Sequence, residues 1–133
     1  MKLLEAINLV DAYKPNRFTT EQKKRWLSNV DSGIFKDILG THEPDENTPT
    51  RFIPYQDGQG TPEDPFNPDL LAPEPYDIMY RYALEAQIDL GNMELAKYNN
   101  SSNLFNAAYA QYAAWYNRTH MPITSEGADH FIL

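Results

Sequence analysis

The chain has 133 residues, no cysteine and a formal net charge of -8. That length suits one domain with a modest core, and the absence of cysteine excludes disulfide frameworks and thiolate metal sites. Such an acidic chain repels phosphate backbones and anionic lipid heads, so neither general nucleic-acid binding nor a membrane partner is expected.

The periodicities predict an all-α fold, a small bundle of about four helices in a single domain, 1–133. Helices 1 and 2 occupy 1–40, a long acidic proline-rich loop or arm occupies 41–74, helices 3 and 4 occupy 75–120, and a C-terminal tail occupies 121–133. In helix 1, Leu3, Leu4, Ile7 and Val10 recur at helical spacing, and Pro15 stops the run. Glu5 and Asp11 interrupt its apolar stretch, so a signal peptide is not expected, and no run is long enough to span a bilayer. Helix 2 opens on Thr19 and Gln22, a capping-box pair. Its inner face carries Trp26, Leu27, Val30, Ile34, Ile38 and Leu39, and Gly40 supplies a left-handed stop. Lys23, Lys24 and Arg25 read as a solvated face.

Prolines at 44, 49, 54, 62, 65, 68 and 73 exclude regular helix from the next stretch. Between Gly40 and Glu74, eight acids stand against one base, Arg51, so nearly all the excess charge is there. "RFIPY", 51–55, is the one extended candidate, confined by Pro54 to an edge or isolated ribbon. Phe52, Ile53, Tyr55, Phe66, Leu70 and Leu71 are more apolar than a solvating linker needs. The segment is therefore either a mobile loop or an arm that orders against a neighbouring subunit.

Pro75 suits the first turn of helix 3, which runs to Leu90. Apart from a polar stripe of Asp77, Arg81, Glu85 and Asp89, that helix is apolar or small nearly all round, so it must be buried nearly all round. Helix 4 follows Gly91-Asn92, from Met93 to Thr119, with a possible kink over Asn99–Asn103, where propensity is poor. Tyr98, Phe105, Tyr109, Tyr112 and Tyr116 form one stripe, and Leu104, Ala108, Gln111 and Trp115 form a second beside it.

No zinc-protease pair, phosphate loop or nucleophile elbow occurs. "HEPDEN", 42–47, groups His42 with carboxylates but lacks the alternate spacing of a calcium loop. No catalysis, metal site or cofactor is expected. Nor do the rings of helix 4 border a positive groove, so base stacking is disfavoured. Intramolecular core accounts for many of these rings, and the surplus apolar circumference of helices 3 and 4 points to an oligomer interface. Its candidates are Tyr80, Tyr98, Phe105, Tyr109, Tyr112, Trp115 and Tyr116, with Phe52 and Tyr55 from the arm.

"LLEAINLVDAYKPN", "EQKKRWLSNVDSGIF", "APEPYDIMYRYALEAQIDLGN" and "YNNSSNLFNAAYAQYAAWYNRTHMP" nearly span the chain. Together they resemble a family of small phage and prophage proteins, the head-tail connector or head-completion adaptor proteins of long-tailed double-stranded DNA phages. The resemblance implies a helical subunit, made in the bacterial host cytoplasm, that assembles as a ring beneath the portal in the virion neck. It would extend the DNA channel without specific nucleic-acid binding and meet portal, neck and tail proteins; no catalytic residues carry over. The alternative is another small homo-oligomeric interaction or assembly module. The tail "TSEGADHFIL" is expected either to dock into a partner such as the portal or to pack back on its subunit.

Overall fold

The computed structural model describes residues 1–56 and 58–123. Its helices are α1 (Leu3–Tyr13), α2 (Thr20–Asp37), α3 (Ile78–Gly91) and α4 (Leu95–Thr119), with one 3₁₀ turn at Leu39–Thr41. The all-helical expectation holds: among the described residues there are isolated β-bridges but no strands. "RFIPY" accordingly forms no ribbon.

α3 is the central element. It packs against α1, α2 and α4, whereas α4 touches neither α1 nor α2 along its axis. Met79, Tyr80, Ala83, Leu84, Glu85, Ala86, Ile88 and Asp89 are all buried. Apart from Ile78 and Leu90, exposed near its two ends, this helix is thus largely enclosed by its own subunit, which corrects the expectation that the length of α3 contributes surplus surface to an oligomer. α1 supplies Leu3, Ala6, Ile7 and Val10, and α2 supplies Leu27 and Ile34, each from one stripe, with Ile38 following at the cap of α2.

Local chemistry explains most boundaries. Thr19 Oγ1 accepts the Gln22 N–H at 3.1 Å while Gln22 Oε1 accepts the Thr19 N–H at 2.9 Å, a complete capping box. The first-turn amides of α1 are satisfied by the distant loop, Leu3 N–H donating to Pro68 O and Leu4 N–H to Asn67 Oδ1. Gly40 lies in the 3₁₀ turn and has no positive φ, so it is not the left-handed stop expected of it. Pro75 does not open α3 either. Tyr76 N–H donates to Pro73 O across a tight turn, and the helix begins at Ile78.

At the α3–α4 corner the left-handed residue is Met93, with φ 58°. Glu94 N–H donates to Asp89 O and Met93 N–H to Leu90 O, the paired bonds of a Schellman stop. Gly91 serves a different purpose, since a Cβ there would lie 2.2 Å from Phe18 Cζ. α4 then runs unbroken through Asn99–Asn103, where Ser101 Oγ donates to Asp89 Oδ2 at 3.0 Å.

The connection between the 3₁₀ turn and α3 closes over the core of its own subunit. Tyr55, Leu70 and Ala72 are buried, and Phe52 and Phe66 pack against the same core. Its described acids, Glu43, Asp45, Glu46, Glu63, Asp64, Asp69 and Glu74, are all exposed. Of the two sequence-based alternatives, neither a free loop nor an arm awaiting a neighbour describes this segment.

Candidate interaction surface

The buried polar groups explain why the loop sits where it does. Asp31 on α2 is fully buried; its carboxylate accepts Tyr55 O–H and Tyr80 O–H, each at 2.5 Å, and Leu71 N–H at 3.1 Å. Tyr80 Oη in turn accepts Ala72 N–H at 2.7 Å, and Ser28 Oγ accepts Tyr55 N–H at 3.0 Å. Burial pushes the Asp31 carboxyl above its usual range, with the three donors opposing it. Burial and the Asp31 charge hold both phenols well above theirs, so they remain donors. Asp89 does the same for the helices: it pairs with Lys14 Nζ at 2.6 Å and accepts the Ser101 O–H, linking the residue that caps α1 to α3 and α4.

His42, singled out in "HEPDEN", is buried and its ring nitrogens lie 2.7 Å from Ile38 O and 2.6 Å from Asn117 Oδ1. A proton on Nδ1 donates to the Ile38 carbonyl oxygen. Asp45 pairs with His120 at 2.7 Å, a bond that holds its carboxyl below the usual range. Among the described residues no group of three or more histidines and carboxylates could hold a metal ion. Lys23 is also not the solvated base the sequence suggested, being 4% exposed and paired with Asp11 at 2.7 Å.

The nine candidate contact residues separate into two groups. Tyr80, Tyr112, Tyr116 and Tyr55 are at most 5% exposed and belong to the core of the subunit. Their rings are already covered by the chain itself, so as a correction they are not surface a partner could use. Phe52, Tyr98, Phe105, Tyr109 and Trp115 are half-buried. Trp115 lies beside Tyr76 and Tyr112, with ring centroids 5.2 and 6.1 Å away. Tyr98, Phe105 and Tyr109 line a groove of about 420 Å³ between α2 and α4. α3 forms its floor through Ala83 and Ala86, and α2 forms the opposite wall through Trp26, Val30 and Gly33.

A further surface was missed by attention to rings alone. Ala96, Asn100, Asn103, Ala107, Ala110 and Ala114 alternate four and three residues apart and are all exposed, with Leu104 beside them. That spacing is a heptad seam, and its residues are small enough to let another helix approach closely. The signal was present in the low charge of this helix, where Lys97 and Arg118 are the only charged residues between Leu95 and Thr119. α4 buries a single stripe, Ser101, Ala108, Tyr112 and Tyr116; the seam occupies the side turned away from it.

No helix of the described residues is long and apolar enough to cross a membrane. No protein-family model matches the chain, and neither a curated protein nor a solved structure is detectably similar to it.

Proposed function

We propose that the protein is a non-catalytic assembly subunit that joins copies of itself through the outward seam of α4, and that it serves as a head-tail connector in the neck of a long-tailed DNA phage. The observation that carries this reading is the exposed, nearly uncharged side of a 25-residue helix. Solvated helices ordinarily carry charge on their outer face, and depletion of charge marks the core of a contact surface. A seam on one side of the subunit meeting a different surface on the next copy generates a ring when the rotation between copies closes. The connector assignment itself comes from the four resembling segments, which nearly span the chain.

The exposed acids of the loop suit a conduit for DNA, because a wall that held phosphates would retard it. A two-fold dimer through the same seam is the alternative. Light scattering of the purified chain, alone and with purified portal protein, tests both. A portal-bound ring supports the connector, a lone dimer supports the alternative, and a monomer that ignores the portal at high concentration rejects both.

A further inference from the structure

We infer that the groove between α2 and α4 receives the α3–α4 corner of a second copy, with Met93 seated against Gly33. The inference rests on the proposed self-association, and it names the surface that the start of α4 meets on the next copy.

Two residues of the subunit stand against local preference. Gly33 lies inside α2, where alanine would favour the helix, and a Cβ there would meet no described atom within 4 Å. The crowding that accounts for Gly91 is therefore not its reason. Met93 takes a left-handed φ of 58°, a conformation that glycine adopts freely, and it is 84% exposed, more than any other large hydrophobic residue described. One contact between copies gives both a purpose: the missing side chain leaves room, and the unshielded one fills it. Such departures from local preference gather where a surface has a function.

The groove suits that occupant in shape and in charge. Trp26 and Val30 on α2 and Phe105 and Tyr109 on α4 pack against the core on one side while remaining partly open on the other, and a thioether packs well on aromatic rings. None of the lining residues is charged, so an occupant that carried an unpaired charge inside would be penalised. The exposed side of α1 bears Glu5 and Asp11, that of α2 bears Lys36 and Asp37, and the loop bears its acids. The corner differs: over 90–98 the only charged residues are Glu94 and Lys97, which pair with each other at 2.6 Å. Leu90 and Leu95, 43% and 61% exposed, flank Met93 and make the corner a clustered apolar tip. Ala96, the first residue of the seam, follows directly, so a neighbour seated by its corner brings the seam to the contact. Corner and groove are different surfaces, which makes the contact head-to-tail and leaves each copy able to meet a further neighbour.

Sedimentation of the intact chain, alone and with purified portal protein, tests this with two variants that spare the fold. Gly33→Leu fills the groove, and Met93→Gly deletes the occupant while keeping the left-handed turn, so thermal unfolding of both should match or exceed the native chain. Each is expected to weaken self-association at least about tenfold. Because the chain has no cysteine, mixed and oxidised Gly33→Cys and Met93→Cys chains identify the contact without background. Their mixed disulfide should form at least about tenfold faster than the Met93→Cys self-pair. It should likewise outpace Met93→Cys mixed with Asn8→Cys, Asn8 being exposed on α1. Native assembly by Gly33→Leu and Met93→Gly, with Ala107→Glu unable to assemble, overturns the inference and leaves the seam standing. A dominant Met93→Cys self-pair also overturns it, by placing a two-fold axis at the corner. A native chain that stays monomeric in both settings overturns this inference and the assembly reading together.

Discussion

Tyr80 on α3 and Asp31 on α2 are joined by a 2.5 Å hydrogen bond at the centre of the subunit, with neither residue exposed to solvent. Tyr80 Oη also receives Ala72 N–H, and Asp31 also receives Tyr55 and Leu71. One carboxylate therefore fastens two points of the connecting loop to two helices. Removing it strands several buried donors together. Asp31→Ala is expected to cost about 3 kcal/mol and Tyr80→Phe about 2 kcal/mol, measured by urea unfolding. If the two losses simply add in the double variant, the groups do not act as a network.

The same carboxylate gives a pH dependence of defined sign. Burial raises its pKa in the folded chain, so folding takes up a proton in the window between about 3.9 and that raised value. The contribution of Asp31 to stability is therefore greatest below the window and declines as pH rises through it. Comparing the native chain with Asp31→Asn isolates this effect from the other carboxylates. The native chain should gain relative to the variant as pH is lowered from 7 toward 3.5; a difference that is constant with pH would show that Asp31 titrates normally.

Lys14 and Asp89 form the second buried tie, with side chains 22% and 2% exposed and 2.6 Å apart. Lys14→Met leaves the Asp89 charge facing Ser101 Oγ alone, and the expected loss is about 3 kcal/mol. Replacing both, Lys14→Met with Asp89→Leu, removes the stranded charge and should recover much of that loss. Chemical denaturation of the three variants checks it. A double variant less stable than Lys14→Met would mean that the pair is worth more than the apolar packing that replaces it.

Gly91 offers a steric test. Its missing Cβ makes room for Phe18, whose ring also meets Trp26 edge-on at 5.1 Å. Gly91→Ala should destabilise the chain by about 1–3 kcal/mol through overpacking, despite the better helix propensity of alanine. In a Phe18→Leu background the penalty should shrink, as read from thermal unfolding. An unchanged penalty in that background would locate the strain elsewhere.

The helices were legible in the sequence because their signals are local. The apolar spacing of Leu3, Ile7 and Val10, the Thr19–Gln22 box and the all-round apolar character of α3 each specify their element within a few turns. What was not legible depends on distant partners. Nothing near Lys23 announces that Asp11 pairs with it, and nothing near Tyr55 announces that Asp31 will bury its hydroxyl. Tyr80, Tyr112 and Tyr116 read as contact surface because a tyrosine in sequence shows its ring and not its neighbours. The conspicuous Gly91 stood for the approach of Phe18, while the left-handed turn fell on Met93, a residue type that does not advertise it.

The seam of α4 is the feature on which the assembly reading stands, and it can be altered without touching the core. Ala107 and Ala110 are exposed and adjacent in the four-three pattern, so glutamate at either changes surface charge and little else. Stability should stay within about 0.5 kcal/mol of the native chain. Copies approaching through this seam would bring the new carboxylates into a contact lined by alanine, where their desolvation is unmatched by any partner. Sedimentation of Ala107→Glu and Ala110→Glu should show loss of self-association and of portal-dependent ring formation, while Asn8→Glu on exposed α1 leaves both intact. Unimpaired assembly of the two α4 variants would move the contact off this helix, because a buried carboxylate with no counter-charge cannot be accommodated in a close helix–helix contact.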